Sequence, residues 1–228
     1  RIFELGSVFQ HRADSKHILE SVHFAGLLTG MQNEHTWNSK PKASSFFDLK
    51  GILQAILDQA NVADDLVFTE AKFPFFSYAA TVRTTKDQIG VIGKIHPDVL
   101  AQFDIEKDVF AFELDFDKIA GFLRTDSTKY RAISQFPAVE RDLAIVVSKK
   151  VAAAALMDCI KRAGGELLAE LRLFDIYSGK QIPDEMKSLA FSLRFQSQMK
   201  TLTDTEVDTL FQKILTQLET EFQARLRQ

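Results

Sequence analysis

Few residues in this chain have the types and spacing that enzyme chemistry requires. The histidines lie at 11, 17, 23, 35 and 96, and the six-residue steps between the first three match no common metal site. Cys159 has no histidine in its half of the chain to activate it, so we expect a buried, small apolar side chain. The sequence contains no phosphate-cradling glycine loop, GxSxG or HExxH motif. It therefore predicts no catalytic residue and no metal site.

Side chains suited to holding a flat ligand occur in the second half. Ala144 and Ser188 are small and alternate with apolar residues, which predicts that they lie opposite the core-facing side chains. Tyr177 ends its strand just before a Ser-Gly turn, and a tyrosine ring is a platform on which a nucleobase stacks. These three residues predict a surface that a base can approach closely.

Two arginines of the same half are further candidates. Arg194 shares the strand face of Ser188, where it is placed to meet a phosphate or to stack. Arg141 opens a strand beside Asp142, and either forms a local ion pair or reaches a phosphate. Half-exposed strands also carry Ser, Arg and Tyr without any ligand, so the pattern leaves both nucleic-acid binding and an ordinary strand surface open.

The second half must position these residues with a sheet that has helices on one side. Leu143, Ile145 and Val147 alternate with Asp142, Ala144 and Val146, as in a strand. A helix over 151–163 then stops at Gly164–Gly165, and two more strands follow. Thr203 with Glu206 forms a capping box that begins the last helix. The order β-α-β-β-α-β is typical of the ferredoxin-like arrangement. Its uncovered sheet face is the predicted binding surface.

The first half predicts an α+β layout with an antiparallel sheet. Residues 2–9 and 22–30 are expected to be neighbouring strands across the charged turn His11–His17, and residues 78–85 and 89–96 a hairpin. Ser45 begins a helix with Asp48 three residues on. A polar stretch without a clear period separates the halves, giving domains at 1–120 and 135–228 and a linker at 121–134.

Composition sets the broad class. With 228 residues, the chain is long enough for two domains, and it has no apolar run that would span a membrane. A single cysteine suits a reducing cytosol, and a start at Arg1 without Met leads us to expect a piece of a longer protein. Residues 129–228 hold 15 basic and 13 acidic side chains, whereas the remainder holds 13 and 18. This asymmetry permits a polyanionic partner for the second half without requiring one.

Both halves resemble one known family. The second half is similar to the ferredoxin-fold anticodon-binding domain that ends the β chain of bacterial phenylalanyl-tRNA synthetase, in the order and spacing of RDLA, LFDIY, KSLAF and TLTD. The first half resembles the class II synthetase-like module of that β chain, through strings such as IFELGSVF, FFDLKGILQAIL and IGVIGKIHPDVL. The resemblance implies an α+β protein in which an antiparallel class II synthetase-like domain precedes a ferredoxin-like βαββαβ domain.

The resemblance also implies a ligand and its contacts. The open sheet would receive the anticodon of tRNA(Phe), and the family's contact positions fall by motif on Ala144, Tyr177 and Ser188. Tyr177 would stack on a base, Ser188 would hydrogen-bond a base edge or phosphate, and Ala144 would keep the surface flat. Arg141 and Arg194 are added as contacts to the RNA backbone.

For the first half, the resemblance implies a catalytically silent copy of a synthetase. The strand at 2–9 ends in Gln10 without an Arg-x-Glu core, and Gly90 and Gly93 are followed by no Glu-Arg pair, so positive groups for a triphosphate are missing. Aminoacylation would belong to an α chain in a cytoplasmic α₂β₂ assembly that uses ATP and Mg²⁺. Neither DNA nor a membrane is an expected partner.

Two alternatives remain at this stage. The ferredoxin-like half is also compatible with a small-molecule regulatory module that dimerises and binds an amino acid between paired domains. A third possibility is that the first half is itself an active synthetase. Binding of phenylalanine without RNA would favour the former, and amino-acid-dependent pyrophosphate exchange by the chain alone would favour the latter.

Overall fold

The computed structural model divides the chain into two compact units, Arg1–Lys129 and Tyr130–Gln228. It describes residues 1–11, 18–33, 35–60, 62, 66–84, 87–121, 133–179 and 182–227. Most of the predicted linker at 121–134, and the predicted turn between the first two strands, therefore lie outside the described residues. Each unit is an α+β body built on one antiparallel sheet, which confirms the predicted fold class.

The first unit contains a six-stranded sheet in the order β1-β2-β6-β5-β4-β3. Its strands and helices, in chain order, are β1 (Ile2–His11), β2 (Ile18–Thr29), α1 (Phe46–Gln59), β3 (Val67–Ala71), β4 (Phe76–Arg83), β5 (Gln88–Ile95), α2 (Pro97–Ala101), β6 (Val109–Asp115) and α3 (Phe116–Ala120). The antiparallel β1–β2 pair and the β4–β5 hairpin were both predicted. Strand β3 and helix α3 were not.

Helix α1 begins at a capping box and covers one face of this sheet. Ser45 and Asp48 exchange side-chain and backbone hydrogen bonds, which satisfy N–H groups that the first turn leaves without partners. Leu49, Leu53 and Leu57 recur at helical spacing and are buried against the sheet. The core therefore lies between α1 and one face of the sheet, and α1 does not cover the opposite face.

The second unit contains a four-stranded sheet in the order β10-β7-β9-β8. Its elements are β7 (Val139–Ser148), α4 (Ala153–Gly164), a 3₁₀ turn (Gly165–Leu167), β8 (Leu168–Tyr177), β9 (Met186–Phe195), α5 (Asp204–Phe222) and β10 (Arg225–Leu226). This element order and the antiparallel pairings confirm the ferredoxin-like prediction.

Local residue choices explain where the two long helices of this unit stop and start. Gly165 ends α4 with φ of +56°, a backbone conformation that glycine adopts without the strain of a Cβ atom. Thr203 and Glu206 form the predicted capping box of α5. Gln223 adopts a left-handed conformation after α5 and turns the chain into β10, which pairs with β7.

Both long helices pack on the same face of the second sheet. Their apolar residues and the inward-facing residues of the strands form one buried cluster that includes Leu143, Phe191 and Leu218. Cys159 is fully buried in this cluster, and desolvation raises the pKa of its thiol. The interpretation of Cys159 as a core side chain is therefore confirmed.

Candidate nucleic-acid interface

The face of the second sheet that points away from α4 and α5 carries the predicted binding residues. In β7, Leu143, Ile145 and Val147 are buried in the core, whereas Ala144 and Val146 alternate with them and are half-buried on the opposite face. We call this second surface, formed by β7, β8, β9 and β10, the open face.

Strand register brings three predicted residues together on the open face. Ser188 of β9 lies between Val146 of β7 and Tyr177 of β8, which are its partners in the two neighbouring strands. Ala144 pairs with Ala190, two residues along β9 from Ser188. Directly opposite residues in a sheet have adjacent side chains, so Ala144, Tyr177 and Ser188 form one patch.

The turn after β8 is shaped to accept the tyrosine. A Cβ atom added to Gly179 would collide with the hydroxyl and ring carbons of Tyr177, so the ring folds back over a residue that lacks a side chain. Any larger residue at 179 would displace the ring. The Ser-Gly turn therefore fixes the direction of Tyr177 as well as ending its strand.

One residue of the patch was missed by sequence reasoning. Arg227 follows β10, and its backbone N–H donates to the Ala144 carbonyl oxygen at 2.9 Å. Its guanidinium carbon lies 5.0 Å from the centre of the Tyr177 ring, and its Nη1 lies 3.5 Å from Ser188 Oγ. A cation on a tyrosine face gains from the electron-rich ring. The only sequence signal for this placement was the short extended segment after the last helix.

Arg141 lies on the other side of the sheet. It has the same strand parity as the core residues of β7, and its Nη2 contacts Oδ1 of Asp204 at 3.2 Å and of Asp208 at 3.4 Å, at the start of α5. The ion pairs join the strand to the helix, and the structure does not bring Arg141 to the patch of Ala144, Tyr177 and Ser188. Its contact with RNA remains a prediction that its position does not favour.

Arg194 lies on the open face but at the end away from Tyr177. Glu140 and Glu170 are its partners in the neighbouring strands, and Glu170 Oε2 lies 3.8 Å from its Nη1. Asp142 and Arg172 also line this shallow region, together with Phe174 and Ser192. Acidic neighbours offset the charge of Arg194, so the two ends of the open face differ in their electrostatics.

The open face of the first unit has different contents. A cavity of about 340 Å³ beside β1, β2, β4, β5 and β6 is lined mainly by apolar residues, among them Ile2, Leu27 and Phe76. The charged residues of its lining are Glu4 and Glu113, both acidic. Among the described residues of this lining there is no arginine or lysine, so it offers no cation to a phosphate.

A polar hydrogen-bond chain lies beside that cavity. Ser21 Oγ is 3.0 Å from His23 Nε2, and His23 Nδ1 is 2.6 Å from Glu113 Oε1. The contacts link His23 of β2 to Glu113 of β6. In the described part of the chain, no group of three His, Cys, Asp or Glu side chains is placed to hold a metal ion. No described helix is long and apolar enough to cross a membrane.

Two protein-family models match the chain. Residues 134–227 match the ferredoxin-fold anticodon binding domain, which includes every residue of the patch described above. Residues 1–116 match the phenylalanyl tRNA synthetase beta chain CLM domain. The two matches together account for both units.

Individual relatives are similar along the whole chain. The chain is 37% identical over 228 residues to the phenylalanine–tRNA ligase beta subunit of Bacillus cereus. It is 41% and 36% identical over 229 residues to the proteins of that name from Moorella thermoacetica and Pseudomonas fluorescens. The alignments cover 99% or 100% of this chain, but the chain spans only 28% of the length of each relative.

Proposed function

This chain belongs to the phenylalanyl-tRNA synthetase β-chain family, and from that premise we propose that its second unit binds the anticodon of tRNA(Phe) while its first unit is a non-catalytic scaffold. The observation that carries the proposal is the position of Tyr177 beside Ser188 on the open face, within the segment that matches an anticodon-binding domain. The same match favours RNA over an amino acid as the ligand of this unit.

The proposed contacts follow from the chemistry of the patch. Stacking of one base on an aromatic ring contributes about 1–3 kcal/mol and tolerates any base, because every base has a π-face. The Ser188 hydroxyl both donates and accepts hydrogen bonds, so it suits a base edge. Ala144 has no atoms beyond Cβ, which lets a planar group approach the sheet. Each role is a part of the proposal that mutation can test separately.

The scaffold role of the first unit rests on what its glycines and charges do. A Cβ atom on Gly93 would lie 2.7 Å from the Tyr78 carbonyl oxygen, and one on Gly90 would collide with the Glu113 backbone. These two glycines are therefore needed for close strand packing, which accounts for them without a phosphate ligand. In the apolar cavity of this unit the charged residues are Glu4 and Glu113, so stabilisation of a triphosphate there is unfavourable. ATP, Mg²⁺ and the aminoacylation step would then belong to the α chain.

An α chain is also the proposed partner of the exposed apolar side chains on the first strand. Phe3 is 79% exposed, and Leu5 and Phe9, which have the same strand parity, are each more than half exposed. Exposed apolar surface of this kind is typical of subunit interfaces. We include an α₂β₂ assembly and a cytoplasmic location in the proposal.

The test is the affinity of the assembled enzyme for tRNA(Phe) after Tyr177→Ala. We expect binding to weaken by about 1–3 kcal/mol, roughly 5- to 150-fold in Kd, because one base–aromatic stack is lost. Tyr177→Phe keeps the ring and should stay near the parent value. Phe174→Ala is the matched control, since Phe174 is an exposed aromatic of the same strand near the acidic end of the open face. An unchanged Kd for Tyr177→Ala would refute the assignment.

A further inference from the structure

Arg227 covers the place where a base would bind. Its guanidinium lies over the Tyr177 ring at 5.0 Å and reaches Ser188 Oγ at 3.5 Å. Its backbone is held by a 2.9 Å hydrogen bond to the Ala144 carbonyl oxygen, next to the paired strands β10 and β7. The main chain is therefore anchored, while the side chain rests on the patch.

The burial of Ser188 shows the effect of this cover. Ser188 faces away from both helices, yet only 2% of its surface is exposed. Its neighbours in the flanking strands, Val146 and Tyr177, are half-buried, and the Arg227 Nη1 lies 3.5 Å from its hydroxyl oxygen. A base edge has no access to the Ser188 hydroxyl while Arg227 stays in this position.

The contacts that hold the side chain are weak enough to be exchanged. A 3.5 Å hydrogen bond is at the long limit for such an interaction, and a cation over a half-buried ring gains no more than a base stacked on one. A guanidinium also binds phosphate oxygens in a bidentate manner that neither the ring nor the serine provides. Replacement of the guanidinium by a base is therefore favourable if the guanidinium moves to a phosphate.

We propose that Arg227 is a displaceable cover of the Tyr177–Ser188 site: an RNA base takes its place on the ring, and the released guanidinium binds a phosphate of the same RNA strand. This inference rests on the proposed function, because it assumes that RNA is the ligand. Arg227 would contact Tyr177 and Ser188 in the free protein and a phosphate in the RNA-bound protein. The two states would differ at this one side chain, while β10 stays paired with β7.

The first experiment measures the cover without RNA. A cysteine in place of Ser188 (Ser188→Cys) reports access through its reaction rate with the small neutral reagent methyl methanethiosulfonate. Adding Arg227→Ala should raise that rate roughly two- to fivefold, since a weak cation–π contact no longer holds the site closed. Arg225→Ala is the matched control, an exposed arginine two residues earlier on β10. The buried native thiol of Cys159 supplies only a slow background, measured in the parent chain.

The second experiment measures the transfer to phosphate. Binding of a tRNA(Phe) anticodon stem–loop to the assembled enzyme is followed at several salt concentrations. Arg227→Ala should lower the slope of log K against log salt by about 0.7, the value for one contact to single-stranded phosphate. Arg162→Ala is the control for loss of charge, because Arg162 pairs with Glu221 on the helix side, and its slope should equal that of the parent.

The outcomes separate this inference from the function on which it rests. An unchanged thiol rate after Arg227→Ala overturns the cover, and an unchanged salt slope overturns the transfer to phosphate. If the stem–loop binds but Tyr177→Ala leaves its affinity unaltered, the anticodon proposal fails while the thiol rates still decide whether Arg227 covers Ser188. If the stem–loop does not bind at all, both proposals are wrong.

Discussion

The two units use the same architecture, an antiparallel sheet with its long helices on one side, but their open faces carry opposite chemistry. In the first unit that face holds phenylalanine side chains and two glutamates around a cavity. In the second it holds a tyrosine, a serine and an arginine over small residues. The acidic residues of the first cavity disfavour phosphate, whereas Arg227 on the second face favours it. The proposal that the second unit binds RNA therefore rests on the side chains of each face and not on the sheet.

The same contrast recurs within the second face. The end that contains Tyr177 has an arginine in contact with the ring, whereas the other end places Arg194 between two glutamates. Basic residues are present at both ends, so a count of charges does not distinguish them. The contacts of the arginines do distinguish the two ends, because neighbouring carboxylates already offset the charge of Arg194.

The largest expected effect tests whether the first unit is silent. The chain alone should catalyse no phenylalanine-dependent ATP–pyrophosphate exchange, because the apolar cavity lined by Glu4 and Glu113 offers no cation to the phosphates. Addition of the α chain with Mg²⁺ should give exchange above background. Radiolabelled pyrophosphate incorporation measures both, with the α chain alone as the reference. Exchange by the purified chain would break the contrast between the units.

A smaller effect concerns the acidic end of the second face. Glu170→Gln should strengthen tRNA(Phe) binding by roughly 0.2–1 kcal/mol, up to about fivefold in Kd, because it removes a repulsive charge and frees Arg194. Glu4→Gln, which neutralises an acidic residue of the first unit's cavity, should leave the affinity of the assembled enzyme unaltered. Fluorescence anisotropy at low salt measures both. Equal gains from the two variants would show that net charge, not the location of charge, governs binding.

The smallest effect compares the caps of α1 and α5. A hydrogen bond from Ser45 lowers the pKa of Asp48, and the Lys200 ammonium, with hydrogen bonds from Thr203, lowers that of Glu206 to about 2. Carboxyl groups of this kind stabilise the fold above their unfolded pKa, and the contribution is lost as pH falls through the folded value.

Glu206→Gln and Asp48→Asn should therefore unfold at slightly lower urea concentration than the parent at pH 7. For Glu206→Gln the difference should shrink as pH falls below about 4.5, should be small at pH 2 and should vanish below it. Circular dichroism during urea unfolding at several pH values measures it. Glu106→Gln, at an exposed loop position, is the control. If the variants still unfolded at a lower urea concentration than the parent below pH 2, the capping residues would stabilise the fold through their shape and not through their charge.

Most of the fold was predictable because its signals are local. The capping boxes at Ser45 and Thr203 and the strict alternation along β7 each reside in a few consecutive residues. Strand β3 and helix α3 were missed because each spans five residues, too few to establish a period. Their formation depends on pairing with, or packing against, distant parts of the chain.

The candidate site was predictable in part for the same reason. Strand parity alone put Ala144 and Ser188 on one face, and it also contained the signal that Arg141 shares the parity of Leu143 and points toward α5. Arg227 had no comparable signal, because its position depends on a two-residue strand that crosses back to β7. Contacts made by such distant pairing are the ones that sequence periodicity does not contain.

The pairing of β10 with β7 also has a consequence for how the protein is made. Synthesis proceeds from the N-terminus, so β7 emerges long before β10, and until then one edge of β7 has free N–H and C=O groups. An unpaired edge of an apolar strand is a template for aggregation. Pairing of β10 with Ile145 and Val146 covers part of that edge, so the step that brings Arg227 to the open face also reduces the unpaired backbone of the nascent chain.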